Sequence, residues 1–350
     1  MNKKEIRLII IAVLVTIIAG ILHYTHANAV LGFVVTAVAL AFVAMIVGDA
    51  TEQLGSRMGP GPTGILQSAL GNLPELFVCI FALRAGLDKV VQAALVGSIL
   101  GNSLLVLGFA LFVGGLKNGT QKFNSEPPKL IATLMILAFA ALAMPTFAKE
   151  LHTPVESHIH TLDIIVAVVL LLVLAASIYF SVKGDKALMP EHDEAKASWS
   201  LQLTLIVLGC AGVAAAFVSD WFVEALQPAM KTLHINETFA GLVIVAIAGN
   251  AIENLIGIQL AYRNKADYSV SVILNSSLQI ALGLFPMLVL LSFVLGGATL
   301  SFVLSPLLLA SLALTVLVSA FIVFDGESIW MEGLALIGLY CIIAASFWWG

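Results

Sequence analysis

The sequence predicts an all-α integral membrane protein of eleven transmembrane helices, arranged as two inverted five-helix repeats after one extra N-terminal helix. Composition, the spacing of apolar runs and a repeat at constant separation carry that expectation. Of the 350 residues, 60% are hydrophobic and 11% charged, against roughly 45–50% and ~25% in soluble domains. Too little polar surface is available to solvate a soluble fold. Apolar runs of about 20 residues recur, each long enough as a helix to cross ~30 Å of hydrocarbon at ~1.5 Å per residue. The lipid bilayer is the solvent that this sequence requires.

Apolar runs bounded by charged or Pro/Gly connectors place spans at 7–23, 28–48, 63–86, 89–115, 129–148, 161–182, 199–226, 238–262, 268–296, 299–324 and 328–349. The first run follows Lys3, Lys4 and Arg7 and precedes Ala27-Asn28-Ala29. A cleaved leader is the competing reading there, but the run joins a polytopic chain and is taken as an ordinary first span. With the N-terminus in the cytoplasm, only Arg84, Lys89, Lys149 and Lys231 of the 16 Lys and Arg fall outside, as the positive-inside bias requires. The expected orientation is therefore N-terminus in, C-terminus out. The same scatter of basic residues argues against nucleic-acid binding. Cys79, Cys210 and Cys341 stand singly in apolar runs and are read as packing residues.

The expected division is residues 1–27 as the extra helix, 28–182 as the first repeat, 183–198 as an acidic cytoplasmic connector and 199–350 as the second repeat. Asp185, Glu191, Asp193 and Glu194 in the connector read as a solvated linker, with cation sensing at the cytoplasmic mouth as the alternative. The repeat itself is explicit. Gly71, Asn72, Glu75, Ile80, Ser98, Leu100 and Leu104 recur 178 residues later as Gly249, Asn250, Glu253, Ile258, Ser276, Leu278 and Leu282. The motif helix is third in the chain and its copy eighth. An odd separation in spans turns the second unit upside down, the repeat logic of secondary transporters.

Glu75 and Glu253 lie near the middle of their spans, where an acidic residue costs on the order of 3 kcal/mol and marks a cavity or ion path. A carboxylate acting only as glue between helices is the competing reading. Gly71, Pro74 and Gly249 favour local breaks in the two helices, which would expose carbonyls such as those of Leu70 and Ala248 to a cation. Asn72 and Asn250 add side-chain oxygens. The following spans bring Ser98 and Asn102 in one unit and Ser276 and Gln279 in the other, although helix–helix hydrogen bonding is an alternative for these four. All are hard oxygen donors, the set that Ca2+ takes at roughly 6–8 per ion, whereas zinc or copper would ask for His or Cys. His152, Glu156, His158 and His160 form the other metal-like cluster and are read as a solvated outer connector.

These residues resemble the calcium/proton exchangers called CAX, in the wider cation/calcium exchanger superfamily. The resemblance covers Ala50-Thr-Glu-Gln-Leu54, Gly71 to Gly115, and in the second half GNAIE (249–253) and NSSLQIALG (275–283). It implies Ca2+ bound between Glu75 and Glu253, protons as counter-ions, and eleven spans with an acidic connector between the halves. The sodium/calcium branch carries small hydroxyl residues ahead of its glutamates, so Asn72 and Asn250 favour protons. Many relatives have His after the second motif glutamate where this chain has Asn254, which leaves the carboxylates of Glu75 and Glu253 as the main proton carriers.

The expected function is a secondary antiporter exporting Ca2+ from the cytoplasm in exchange for H+. A Na+/Ca2+ exchanger or other divalent-cation antiporter is the alternative, and a passive channel using the glutamates as a selectivity ring is a further one. Enzyme motifs such as HExxH and GxSxG do not occur, so an enzyme is not expected, nor is a cofactor beyond the transported ion. A chain without long tails suits a bacterial plasma membrane, and the sequence leaves homo-oligomerisation open.

Overall fold

The structure is a computed structural model that describes residues 1, 3–25, 28–57, 70–183 and 198–349, with side chains at all of these except 181–183 and 251–254. Helices make up nearly all of it. In chain order they are α1 (Lys3–Tyr24), α2 (Ala29–Gly55), α3 (Leu73–Arg84), α4 (Asp88–Asn118), α5 (Glu126–Glu150), α6 (Ile159–Lys183) and α7 (Leu201–Leu233). They continue with α8 (Glu237–Gly249), α9 (Ala251–Tyr262), α10 (Ala266–Leu295), α11 (Pro306–Val323) and α12 (Trp330–Trp348). Among the described residues, nine helices are long and apolar enough to cross a membrane. The third expected span is represented by α3 and the eighth by α8 and α9, which meet at Asn250. Most of the expected acidic connector, residues 184–197, lies outside the described residues.

Helix starts are fixed by short polar side chains that accept otherwise orphaned amide protons. Asn28 Oδ1 accepts from Val30 N–H at 3.0 Å, Ser200 Oγ from Leu203 N–H at 3.2 Å, and Asn236 Oδ1 from Phe239 N–H at 2.7 Å. Ser305 does the same for Leu308 at 3.3 Å, with Pro306 in the first turn. That cap corrects the tenth expected span: helix begins at Pro306, and 298–305 is non-helical. Another correction concerns cysteine, since Cys210 and Cys341 lie on exposed faces and only Cys79 is packed inside.

The core runs between the helices rather than around a single layer. α2 packs along α7, and α1 lies against both. α3 also packs on α7, and α9 on α2. α4 packs on α8 and α12, while α10 packs on α3 and α6, and α5 pairs with α11. Close backbone approach depends on small residues: a Cβ at Gly97 of α4 would stand 2.2 Å from the carbonyl oxygen of Leu242 in α8. Each of α4, α8 and α10 also contains a π-helical stretch, at Gly101–Val106, Ala240–Val245 and Ile280–Leu284. Such stretches rotate the residues that follow and are frequent at functional sites.

Short connectors tie the helix ends together. Gln121–Lys122 (β1) pairs antiparallel with Glu327–Ser328 (β2), and the Lys122 ammonium lies 2.7 Å from the Glu327 carboxylate. That hydrogen bond, with the charge behind it, raises the Lys122 pKa above its ordinary value. At the residues following the connector, Gln53 Oε1 accepts from Ser198 N–H at 2.8 Å, Arg57 donates to the Trp199 carbonyl, and Trp199 Nε1 donates to Glu5 at 2.9 Å. The start of α7 is thus fastened to α1 and α2.

The Gly97 contact gives a direct test of the packing. Gly97→Ala is expected to cost about 1–3 kcal/mol through overpacking, read as a lowered midpoint of thermal unfolding in detergent. Gly338→Ala, where an added Cβ meets nothing within 4 Å, is expected to leave the midpoint unchanged or raise it.

Candidate functional site

The two motif sequences fold in the same way. Asn72 has φ −90° and ψ 15°, and Asn250 has φ −102° and ψ 16°. Both values fall in the sparsely populated bridge region that interrupts a helix. Each asparagine immediately precedes a new helix, so Glu75 and Glu253 both occupy the third position of one, in α3 and α9. Pro74 suits the first turn because its missing N–H has no intrahelical partner to lose. A first-turn carboxylate is favoured by the positive end of the helix dipole, and a buried one needs that support. In the second motif the break falls at Asn250, because Gly249 is still the last residue of α8. Leu70 is the last helical residue before the Gly71–Asn72 turn.

Neither asparagine caps its helix with its side chain, which frees the amides for other partners. Asn250 Nδ2 donates to Ser98 Oγ at 2.8 Å and to the Ala246 carbonyl at 3.0 Å. Glu75 Oε1 stands 3.5 Å from the same nitrogen. An amide NH2 has two protons, so the two short bonds use them and the contact to Glu75 is mainly electrostatic. Ser98 in turn donates to Glu75 Oε1. Gly249 completes the contact, since a Cβ there would lie 3.6 Å from Glu75 Cβ and Cγ. A glutamate from one half is therefore held by a hydroxyl of its own half and by the Gly-Asn break of the other.

A second polar contact crosses between the halves. Asn102 Nδ2 donates to Ser276 Oγ at 2.9 Å, and Ser103 Oγ is 2.8 Å from Ser277 Oγ. Glu75, Ser98, Asn102, Asn250, Ser276 and Asn72 are all buried, and Ala248 with them. Gln279 is half-buried at the end of the regular part of α10, before its π-helical stretch. A cavity of about 10 Å3 is lined by Ser98, Asn102 and Asn250 together with Leu105, Val106 and Ile247. That volume is near the lower limit for one water molecule. The structure brings Glu75, Ser98 and Asn250 together, and separately Asn102 and Ser276. The Glu253 side chain lies outside the described residues, and only its place in α9 is given.

The sequence reading missed three residues, Ser103, Ser277 and Ser219. Ser103 and Ser277 adjoin Asn102 and Ser276 in the chain, and that adjacency was the available signal. Ser219 of α7 donates to the Pro74 carbonyl at 3.4 Å, for which the sequence offered none. Among the described residues, the histidines at 152–160 do not assemble into a metal site: His152 Nδ1 lies 3.1 Å from Glu156, both partly or largely exposed. Among the described residues, no group of three His, Cys, Asp or Glu is placed to hold a metal ion. Glu75 instead meets the Ser98 hydroxyl and the Asn250 amide, side chains that carry oxygens of the kind hard cations take.

The family model described as sodium/calcium exchanger protein matches residues 28–183 and 203–349. The chain belongs to the sodium/calcium exchanger protein family. It is 32% identical to the Ca2+/H+ antiporter of Aphanothece halophytica over 93% of this chain and 92% of the other. It is 34% identical to the Ca2+/H+ antiporter ChaA of Bacillus subtilis over 99% of both chains. The solved structure of native YfkE is 31% identical, with a TM-score of 0.84 over 98% of this chain and all of that one. Family membership and the apolar helices together make this an integral membrane protein of a transporter family, with the helical fold of its structural relatives.

The hydrogen bonds at Glu75 predict coupling. Ser98→Ala and Asn250→Ala are each expected to destabilise the protein by about 1–3 kcal/mol, because each leaves a buried polar partner unsatisfied. The double variant is expected to fall short of the sum by at least about 0.5 kcal/mol. Denaturation in detergent measures this, and strict additivity would contradict the arrangement.

Proposed function

We propose that this chain is a secondary active antiporter that exports Ca2+ from the cytoplasm in exchange for H+ by alternating access. The observation that carries the reading is the buried Glu75 carboxylate, framed by Ser98 of its own half and Asn250 of the other. The relatives named Ca2+/H+ antiporters, 32–34% identical along almost the whole chain, support the two ions.

The proposed architecture is eleven spans, with 1–27 as an extra helix, 28–182 and 199–350 as inverted five-helix repeats, and 183–198 as the cytoplasmic connector. Support comes from packing that maps onto itself when the second to sixth spans exchange with the seventh to eleventh. Under that exchange α3 on α7 becomes α9 on α2, α4 on α8 becomes α10 on α3, and α4 on α12 becomes α10 on α6. The matched breaks at Asn72 and Asn250 add to it, as do π-helical stretches ending at Val106 and Leu284, again 178 residues apart. The basic residues favour an N-terminus inside and a C-terminus outside, and the Bacillus relative supports a bacterial plasma membrane.

In this reading Ca2+ sits between Glu75 and Glu253. Asn72, Asn250, Ser98 and Ser276 supply further oxygens, with the Leu70 and Ala248 carbonyls just ahead of the two breaks. A half-turn of the Asn250 amide would present its oxygen to the cation. Asn102 orients Ser276, and Gln279 stands one turn beyond it on the same helix. Two glutamates close together in a dry site do not both stay charged without a cation between them. Either Ca2+ or protons on Glu75 and Glu253 neutralise the site, only a neutralised site is readily occluded, and this exclusive loading couples the fluxes.

Proteoliposomes carrying the protein are expected to move radioactive Ca2+ when given a proton gradient, and Glu75→Gln or Glu253→Gln to abolish that flux. Flux driven by a sodium gradient alone would overturn the proton assignment, and currents of unitary conductance would favour a channel.

A further inference from the structure

Away from the motifs, Asp163 is fully buried near the start of α6. Its Oδ1 accepts from Phe302 N–H at 3.2 Å, the Ser301 hydroxyl stands beside it, and its Oδ2 has no hydrogen-bond partner among the described residues. Neither the repeat nor the cation site accounts for a carboxylate at this place. An ionised carboxylate with one oxygen unmatched is costly inside a protein. His160, one turn earlier on the same helix and exposed, is the one charge-bearing group acting on it among the described residues. Among the described residues, α5, α10 and the 296–305 segment bring no charged group to bear on it.

What Asp163 holds is the non-helical segment between α10 and α11. Thr146 of α5 donates to the Phe302 carbonyl at 3.2 Å and accepts from Leu304 N–H at 3.0 Å. Gln92 of α4 donates to the Ser301 and Val303 carbonyls at 2.9 and 3.1 Å. The segment also reaches two of the helices that carry the site, α3 and α10. Ala298 N–H donates to the carbonyl of Leu83 at 3.0 Å, at the end of the helix that starts with Glu75. The Phe302 ring lies 5.0 Å from that of Phe285, which follows the π-helical stretch of α10. Three helices thus pin the segment through side chains, and of those side chains only Asp163 carries a titratable group.

We infer that Asp163 is a proton-controlled positioning residue, a latch that holds the 298–304 segment against the motif helix and α10 when ionised and loosens it when protonated. A proton from the aqueous face at that end, the outer one in the proposed orientation, adds to Oδ2 and leaves a neutral acid. The Phe302 N–H bond then loses its charge assistance, which roughly doubles the strength of such bonds. A proton that reaches Asp163 from outside therefore loosens the strap across the end of the Glu75 helix. The inference rests on the proton-driven reading for its role in transport, but the latch itself is a property of the fold.

Two measurements separate the latch from the transport reading. Hydrogen exchange of the full-length wild-type protein in detergent, corrected for intrinsic rates, reads the Phe302 amide directly. Its protection is expected to rise at least about threefold from about pH 5.5 to about pH 8.5, and pH-independent protection would overturn the latch whether or not the protein transports Ca2+. In proteoliposomes, Asp163→Asn keeps an oxygen to accept the Phe302 bond but no longer titrates. Its Ca2+ flux is expected to depend on outer pH at least about threefold less steeply than that of wild type, with Thr146→Val scaling the rate without changing the profile. Parallel profiles for wild type and Asp163→Asn would likewise overturn the latch. Absence of wild-type flux, with pH-dependent protection intact, would instead sink the antiporter reading alone.

Discussion

Much of this structure follows from holding one carboxylate inside an apolar bundle of membrane helices. Glu75 is almost completely buried, where a charge is expensive and a lone polar group nearly as unwelcome. Meeting that demand requires a helix broken at Asn72, so that a fresh N-terminus and its dipole lie behind the carboxylate. It also requires a second broken helix, so that Asn250 and Gly249 can approach from the other side. Neither break would be tolerated facing lipid, because an unpaired peptide group there costs several kcal/mol. The breaks therefore have to be enclosed, and α2, α4, α7 and α10 enclose them.

Close packing supplies that enclosure. Gly97 lets α4 and α8 meet backbone to backbone, which brings Ser98 to Asn250; one turn further on, Asn102 of α4 meets Ser276 of α10. The π-helical stretch at Gly101–Val106 starts between those two contacts. Polar contacts across the halves then lie in a row, with apolar helix faces on either side. In the proposed exchange, a carboxylate in such a row would be neutralised in turn by a proton and by a cation.

Much of this was legible in the residues. The 178-residue repeat located Glu75, Ser98, Asn250 and Ser276, and Gly next to Asn signalled a break whose matched dihedral angles the structure displays. The apolar runs located nearly every helix. Less legible were partners distant in sequence: Ser219 on the Pro74 carbonyl, the Trp199 anchor on Glu5, and the β1–β2 pairing have no periodicity to announce them. Hydropathy also misread 299–305, because Leu300, Phe302 and Leu304 are as apolar as a span while their backbone is bonded to side chains of other helices.

By itself, the sequence determined that the chain lives in a bilayer, that it contains a duplicated Gly-Asn-x-x-Glu motif, and that oxygen donors accompany each glutamate. These are properties of composition and spacing, which a linear string carries in full. Only the tertiary structure decided that Asn250 serves Glu75 across the interface between halves, that its two amide protons go to Ser98 and Ala246, and that Asp163 grips the segment over the end of the Glu75 helix. Those outcomes depend on which faces of which helices meet and how closely, and hydrophobic periodicity fixes a buried face without naming its partner.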